Sequence, residues 1–249
     1  MKTCKTIYLI GPGRDKLNFE LNFGINVLKN QTTLSFSSDL MWFHDNNIYP
    51  TFWTFLDPNS VVNILNKKET NTYNDEWFKG LKTHSTLIYN DFQGTDEFYH
   101  KGFTTSRGSS WNKNTFGSKI LPTMGSHFKN VIKLPSIILN NNYSLFYKDN
   151  TTNESPVISQ GPNINTDKFS CYVLPLVISY FTNLTEINCL GFGDFGFPRL
   201  CTGTSLGYEG YKVSYQKIKN ELISLLKYKN INVKFYNKDS YFKELEWKK

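Results

Sequence analysis

Holding or moving a phosphate takes backbone that a ligand can approach closely, small polar side chains to orient it, and a charge to receive it. The chain offers such residues where apolar runs stop abruptly. Ile7-Tyr8-Leu9-Ile10 breaks into Gly11-Pro12-Gly13-Arg14-Asp15, Thr33 to Phe36 ends in Ser37-Ser38-Asp39, and Thr51 to Leu56 ends in Asp57-Pro58-Asn59-Ser60. Glycine lacks a Cβ and tolerates positive φ, so a strand ending in glycine lets a ligand meet the backbone. A plain tight turn is the equal reading of Gly11 and Gly13. The spacing departs from the full dinucleotide fingerprint, because the third glycine is missing and no helix of clear periodicity follows at once.

A second group lies toward the carboxyl end. Ser170 opens the apolar stretch Cys171 to Phe181, and Glu186 to Leu190 then runs into Gly191-Phe192-Gly193-Asp194. Ser170 reads both as a helix N-cap and as a contact to phosphate, two roles that coincide at a helix N-terminus. Asp194 reads equally as a turn former and as an acid or base. Tyr208-Glu209-Gly210-Tyr211 precedes an amphipathic helix over 214–229, with Ile218, Leu222, Leu225 and Leu226 on one face.

The elements that must position these groups follow from the pattern. Strands are expected over 5–10, 33–36, 51–56, 86–89, 130–134, 186–190 and 232–236, with helices over 61–66, 171–181 and 214–229. Extended apolar segments that finish in small polar residues, alternating with helices, predict an α/β fold: a Rossmann-like, mostly parallel sheet flanked by helices. At 249 residues the chain suits one nucleotide-binding domain. Residues from about 93 to 165 are rich in Gly, Ser, Asn and aromatics with little periodicity, and are expected as a lid or insertion within it. The Ser/Arg/Gly cluster over 104–110 reads first as a solvated loop. Trp42, Trp53, Trp77 and Trp111 read as packing residues rather than sugar platforms.

A net charge of +7 favours anionic partners. Lysines concentrate in the last forty residues, which leaves peripheral contact with an acidic membrane surface open beside a solvated helix face. The four cysteines show no metal or redox spacing and read as reduced, which with the lack of a signal or transmembrane pattern predicts a cytoplasmic protein. No nucleic-acid-binding signature is present and the aromatics follow core periodicity, so a nucleic-acid partner is not expected. Homo-oligomerisation stays open.

In their order, these segments resemble the bacterial sialyltransferases of the lipooligosaccharide type and, more loosely, the wider sialyltransferase-like and MptE-like group. The likeness runs through Gly11-Pro12-Gly13, Ser37-Ser38-Asp39, Asp57-Pro58-Asn59-Ser60, Ser170 to Asp194, and Tyr208 to Tyr211 with the helix and strand that follow. It covers most of the chain outside 93–165. It implies a glycosyltransferase that moves a sugar, with inversion, from a CMP-activated donor to a glycan acceptor hydroxyl, with no metal site and no cofactor required beyond the donor. The resemblance carries nucleotide binding to Gly11, Gly13, Ser37, Ser38, Asp57, Asn59 and Ser170, with Arg14 as a cationic addition. It carries stabilisation of the leaving phosphate to Tyr208 and Tyr211.

The general base is where the chain departs from the family, which has histidine where Tyr211 follows Gly210. A phenol of pKa about 10 is a poor base at neutral pH. The candidates for that role are Asp194, His127 and His100. For any one of the four histidines, His44 and His84 included, a structural role is the stronger reading. Two other readings remain: an Mg-ATP-dependent pyrophosphokinase of the MptE-like group, for which Asp57 and Asp194 make a thin acidic set, and a non-catalytic nucleotide- or glycan-binding descendant.

Overall fold

The computed structural model describes residues 2–13, 16–55, 58–69, 74–90, 115–134, 137–139, 145–147, 169–192, 208–237 and 240–247. The strands are β1 (Lys2–Thr3), β2 (Thr6–Ile10), β3 (Thr33–Phe36), β4 (Phe52–Thr54), β5 (Thr86–Asn90), β6 (Asn130–Leu134), β7 (Ile137–Leu139), β8 (Leu145–Tyr147), β9 (Phe181–Thr182), β10 (Glu186–Leu190) and β11 (Asn232–Phe235). The α-helices are α1 (Lys16–Phe23), α2 (Leu40–Asp45), α3 (Pro58–Glu69), α4 (Asp75–His84), α5 (Leu121–Gly125), α6 (Leu174–Tyr180) and α7 (Tyr208–Lys229). Seven strands form one sheet in the order β11-β10-β2-β3-β4-β5-β6, and the pairs β11–β10, β10–β2, β2–β3, β4–β5 and β5–β6 are parallel. This is the expected α/β, Rossmann-like architecture. Two small pairs, β1–β9 and β7–β8, stand apart from it.

The chain divides into two compact units. The first, residues 1–35, 139–146 and 164–249, holds β2, β10 and β11 in parallel register, with Ile7 level with Ile187 and Ile187 level with Val233. Side chains alternate across a strand, so Leu9, Cys189 and Phe235 share one face and Tyr8 the other. Phe169 and Phe242 pack their rings on Phe235, while Phe19 of α1 lies against Tyr8 and Tyr236. Both faces of this part of the sheet are therefore covered, and β10 is buried along almost its whole length, as a central parallel strand requires. The Tyr8 and Tyr236 hydroxyls sit above the ordinary tyrosine pKa, chiefly because burial disfavours the phenolate.

β11 is an edge strand, and the carboxyl-terminal segment closes it with side chains instead of a further strand. Glu246 Oε1 accepts from the Phe235 N–H, Lys243 Nζ donates to the Phe235 carbonyl, and Trp247 Nε1 donates to the Ile231 carbonyl. Lys243 and Glu246 also pair with each other at 2.8 Å. Edge groups left open invite pairing with other chains, and these three residues occupy them. Glu246→Ala removes the acceptor of the Phe235 N–H and is expected to lower stability by about 1–2 kcal/mol in urea denaturation. Several lysines of the basic carboxyl-terminal region serve the fold in this way: Lys219 pairs with Glu244, and Lys234 lies over the Tyr236 ring at 4.6 Å.

The second unit, residues 36–138 and 147–163, holds β4, β5 and β6 with α2 to α5. Its core is aromatic. Trp53 is stacked between Phe55 and Phe128, and Trp77 donates its indole N–H to the Ile48 carbonyl. Trp42, Trp53 and Trp77 are all buried, as expected of packing residues, and Trp111 lies outside the described residues. Residues 115–134, within the expected insertion, build a helical turn, α5 and the edge strand β6 of the main sheet.

Local expectations and structure differ at helix starts. α1 follows the Gly11–Gly13 turn closely, where no periodic helix was expected. α3 begins at Pro58, so Asn59 and Ser60 lie inside its first turn rather than ahead of a helix over 61–66. Proline suits that position, since its φ is already helical and its missing N–H has no intrahelical partner there. Ser170 is likewise inside a helical turn, Phe169–Val173, that runs on into α6. α7 begins at Tyr208, earlier than the amphipathic pattern indicates.

Candidate functional site

β2 is the strand at which the sheet order reverses. The chain proceeds outward through β3, β4, β5 and β6, then returns to place β10 on the other side of β2, followed by β11. In doubly wound sheets, ligands bind at the carboxyl ends of the strands flanking such a switch point. Here β2 runs into Gly11 and β10 into Gly191, both in the first unit.

The two glycine turns are fitted to each other. The Gly11 N–H donates to the Leu190 carbonyl at 2.7 Å and the Gly13 N–H to the Gly191 carbonyl at 2.8 Å. A Cβ on Gly11 would stand 2.7 Å from the Gly191 carbonyl oxygen and 2.8 Å from the Phe192 ring. Gly191 has φ +81°, and a Cβ there would run into the Gly11 carbonyl. Two readings of these glycines were open, a ligand admitted to the backbone and a plain tight turn. At Gly11 the space is instead filled by the neighbouring turn, and the N–H groups of Gly11 and Gly13 are both engaged.

The surroundings hold this junction still. The Phe192 carbonyl accepts from Ser240 Oγ at 3.0 Å, and the Phe192 ring packs at 4.4 Å on Phe169, the residue before Ser170. Ser170 is wholly buried in the same helical turn. On the side of β2, Lys16, the first residue of α1, is also wholly buried, and its Nζ donates to the Gly11 carbonyl at 2.9 Å. A lysine is almost never fully buried. Residue type alone gives no sign of this, so Lys16 is absent from the expected site; the one signal in the sequence is its place three residues after Gly13.

In the second unit, Ser37 directly follows β3. Its φ is +55°, a left-handed conformation uncommon for serine, and its buried Oγ has no hydrogen-bond partner. The Trp53 indole N–H donates to the Ser37 carbonyl at 3.0 Å and holds the turn. Backbone of this kind persists only where neighbours over-determine it, and such positions cluster at ligand sites.

The remaining expected residues fall as follows. The backbone of Ser38 lies in the short 3-10 turn after β3, that of Asn59 in the first turn of α3, and those of Tyr208 and Tyr211 in the first turn of α7. Their side chains lie outside the described residues, as do Arg14, Asp57, Asp194 and His100 entirely. His127 packs edge-on against the Phe78 ring at 5.0 Å and lies just before β6, on the amino-terminal side of the strands of its unit. That is the end opposite to the one at which parallel sheets place their ligands. Among the described residues, no group of three or more His, Cys, Asp or Glu side chains converges, and no helix is long and apolar enough to cross a membrane.

Comparison with protein-family models and with curated protein sequences finds no match to the chain.

Proposed function

We propose that the chain binds a nucleotide at the carboxyl ends of β2 and β10 and is a glycosyltransferase, moving a sugar with inversion from a CMP-activated donor to a glycan acceptor hydroxyl. The observation that carries the reading is the topological switch point of a Rossmann-like sheet, where β2 and β10 lie side by side and each runs into a glycine turn. The likeness to sialyltransferases supplies the cytidine and the sugar.

On this reading the leaving CMP phosphate gains charge as the glycosidic bond breaks. Tyr208 and Tyr211 stand in the first turn of a 22-residue helix, the positive end of its dipole, which favours an anion. Asp194 takes the acceptor proton in place of the family histidine.

Titration with CMP, UDP, GDP and ATP, each with and without Mg²⁺, tests the reading through thermal shift, since a ligand that binds the folded state raises its stability by mass action. CMP is expected to raise Tm without metal, by about 2.7 kcal/mol of stabilisation at a hundredfold excess over Kd. The gain falls in Gly11→Ala, whose methyl would stand 2.7 Å from the Gly191 carbonyl oxygen and push the two turns apart. Incubation with a CMP-sugar should release CMP. A response to ATP with Mg²⁺ alone moves the chain to the pyrophosphokinase reading, and silence toward every nucleotide overturns the proposal.

A further inference from the structure

We infer that the face of β2, β10 and β11 turned toward α1 is a glycan-binding surface, and that it seats the acceptor beside the nucleotide site. The surface stands by itself as a site for a neutral sugar; that its occupant is the acceptor of a transfer rests on the reading above.

The sheet of the first unit has two unlike faces. Strand register sets Ile7, Ile187 and Val233 level with one another, then Leu9, Cys189 and Phe235, all on one face. Side chains alternate along a strand, so the other face carries Thr6, Glu186 and Asn232 in one row and Tyr8, Asn188 and Lys234 in the next. Every one of these six bears a polar group. Parallel strands are ordinarily apolar on both faces, because helices cover both. α1 covers this face at its carboxyl end, where Phe19 and Phe23 pack on the Tyr8 and Tyr236 rings. Toward the amino end Thr6, Glu186 and Asn232 are half-buried and Lys234 is exposed.

The groups on the face select the occupant. Glu186 and Lys234 carry opposite charges, so the surface favours neither a polyanion nor a polycation, and six polar groups do not suit a lipid chain. Glu186 Oε1 accepts from Asn188 Nδ2 at 2.6 Å, which sets the direction of the carboxylate, and the Lys234 ammonium is held over the Tyr236 ring at 4.6 Å. Asn232 Oδ1 is buried with no hydrogen-bond partner among the described residues, an acceptor whose need a ligand hydroxyl would meet. The Phe23 ring, 55% exposed and nearly perpendicular to Tyr236, adds an aromatic wall at the carboxyl end. A sugar brings hydroxyls that both donate and accept, and C–H groups that pack on aromatic rings. Two rows across three strands span about 7 by 10 Å, room for one or two sugar rings.

The same face leads to the switch point. The Tyr236 N–H donates to the Cys189 carbonyl at 3.2 Å, which places Tyr236 level with Leu190, the residue before Gly191. A glycan lying along the face would bring one end to the carboxyl ends of β2 and β10, where the donor nucleotide is proposed to bind.

Titration of the full chain, without nucleotide, with lactose, cellobiose and maltose tests the surface, read by saturation-transfer NMR and by the side-chain amide signals of Asn188 and Asn232. At least one disaccharide is expected to bind with a Kd of about 1 mM or tighter and to shift the Asn232 amide. Lys234→Ala is expected to lower that affinity about tenfold, and Glu186→Gln, which keeps an acceptor for the Asn188 amide, about fivefold. Lys227→Ala, at an exposed position of α7, should leave it unchanged. Sugar affinity unaltered in both Lys234→Ala and Glu186→Gln puts the sugar elsewhere and overturns the assignment. Binding of inorganic sulfate with none of the disaccharides, or no binding at all, overturns it as well. A chain that binds CMP but no disaccharide loses this surface and keeps the nucleotide reading; one that binds a disaccharide but ignores CMP keeps the surface and loses the transfer.

Discussion

Gly191→Ala is expected to destabilise the protein by about 3 kcal/mol or more, seen as a fall in the urea midpoint without change in slope. Two causes act together. At φ +81° an L-residue is in the left-handed region, which costs roughly 1–2 kcal/mol for a side chain with a Cβ. The new methyl would also run into the Gly11 carbonyl, a backbone group that cannot rotate away. Relief requires the ends of β2 and β10 to separate, and those ends are joined by the Gly11–Leu190 and Gly13–Gly191 hydrogen bonds at 2.7 and 2.8 Å. Overpacking a rigid junction of this kind typically adds a further 1–3 kcal/mol. Gly11→Ala meets the same wall from the other side, at the Gly191 carbonyl and the Phe192 ring, but without the φ penalty, and is expected to cost less. A Gly191→Ala protein as stable as wild type would sink the account of the paired turns. Nucleotide affinity in the same variant bears on function separately, since a stable but non-binding protein would mean that the junction serves the ligand more than the fold.

The main sheet was legible in the sequence because its strands are short apolar runs bounded by polar turns. Thr33–Phe36, Asn130–Leu134 and Glu186–Leu190 fall at their expected bounds. Burial on both faces makes Thr33–Phe36 and Glu186–Leu190 continuous rather than alternating, which separates them from surface helices, whereas β6 is a largely exposed edge strand marked only by its short apolar run. α1 was hidden by the opposite effect. In Lys16–Phe23 the apolar residues Leu17, Phe19, Leu21 and Phe23 alternate with polar ones, a strand-like period of two. The segment is helical because Phe19 and Phe23, four apart, both pack on Tyr236, while Leu21 is left 84% exposed. Tertiary contact overrides local pattern there. α4 carried a full signal that pattern reading alone passes over in a short helix: Asn74 caps it by accepting from the Glu76 N–H, two acids open it, and Trp77, Phe78 and Leu81 form its buried face.

The candidate site was legible in part, for a related reason. Strand-end glycines and serines are visible as residue types, and both Gly11 and Ser37 stand at the carboxyl ends of strands as expected. What occupies the missing Cβ of Gly11 depends on a residue 180 positions away, because Gly191 reaches it only once β10 has paired with β2. The burial of Lys16 is of the same kind. A lysine next to a glycine turn reads as solvated until the sheet and α1 close around it, and only then does the charge acquire meaning.

Trp53→Ala is expected to lose about 3–5 kcal/mol, the range for removing a large buried aromatic, which is a large share of the 5–15 kcal/mol that holds an ordinary domain. The indole is fully buried between Phe55 and Phe128, nearly parallel to the Phe128 ring at 11°, so its loss leaves a void that neither neighbour can fill without giving up the stack. Trp53→Phe separates packing from hydrogen bonding. It keeps an aromatic ring in the stack but removes the N–H that donates to the Ser37 carbonyl, at an expected cost of about 1–3 kcal/mol for the unpaired buried acceptor. The turn at Ser37 stores strain in its left-handed φ, and strained backbone relaxes once the contacts that impose it are withdrawn. Trp53→Phe should therefore lower stability, with the Ser37 amide losing protection against hydrogen exchange while the core of β5 keeps it. Stability in urea and exchange at Ser37 form one measurement set. If Trp53→Phe matches wild type in both, the indole serves packing alone and the Ser37 turn holds its shape by other means.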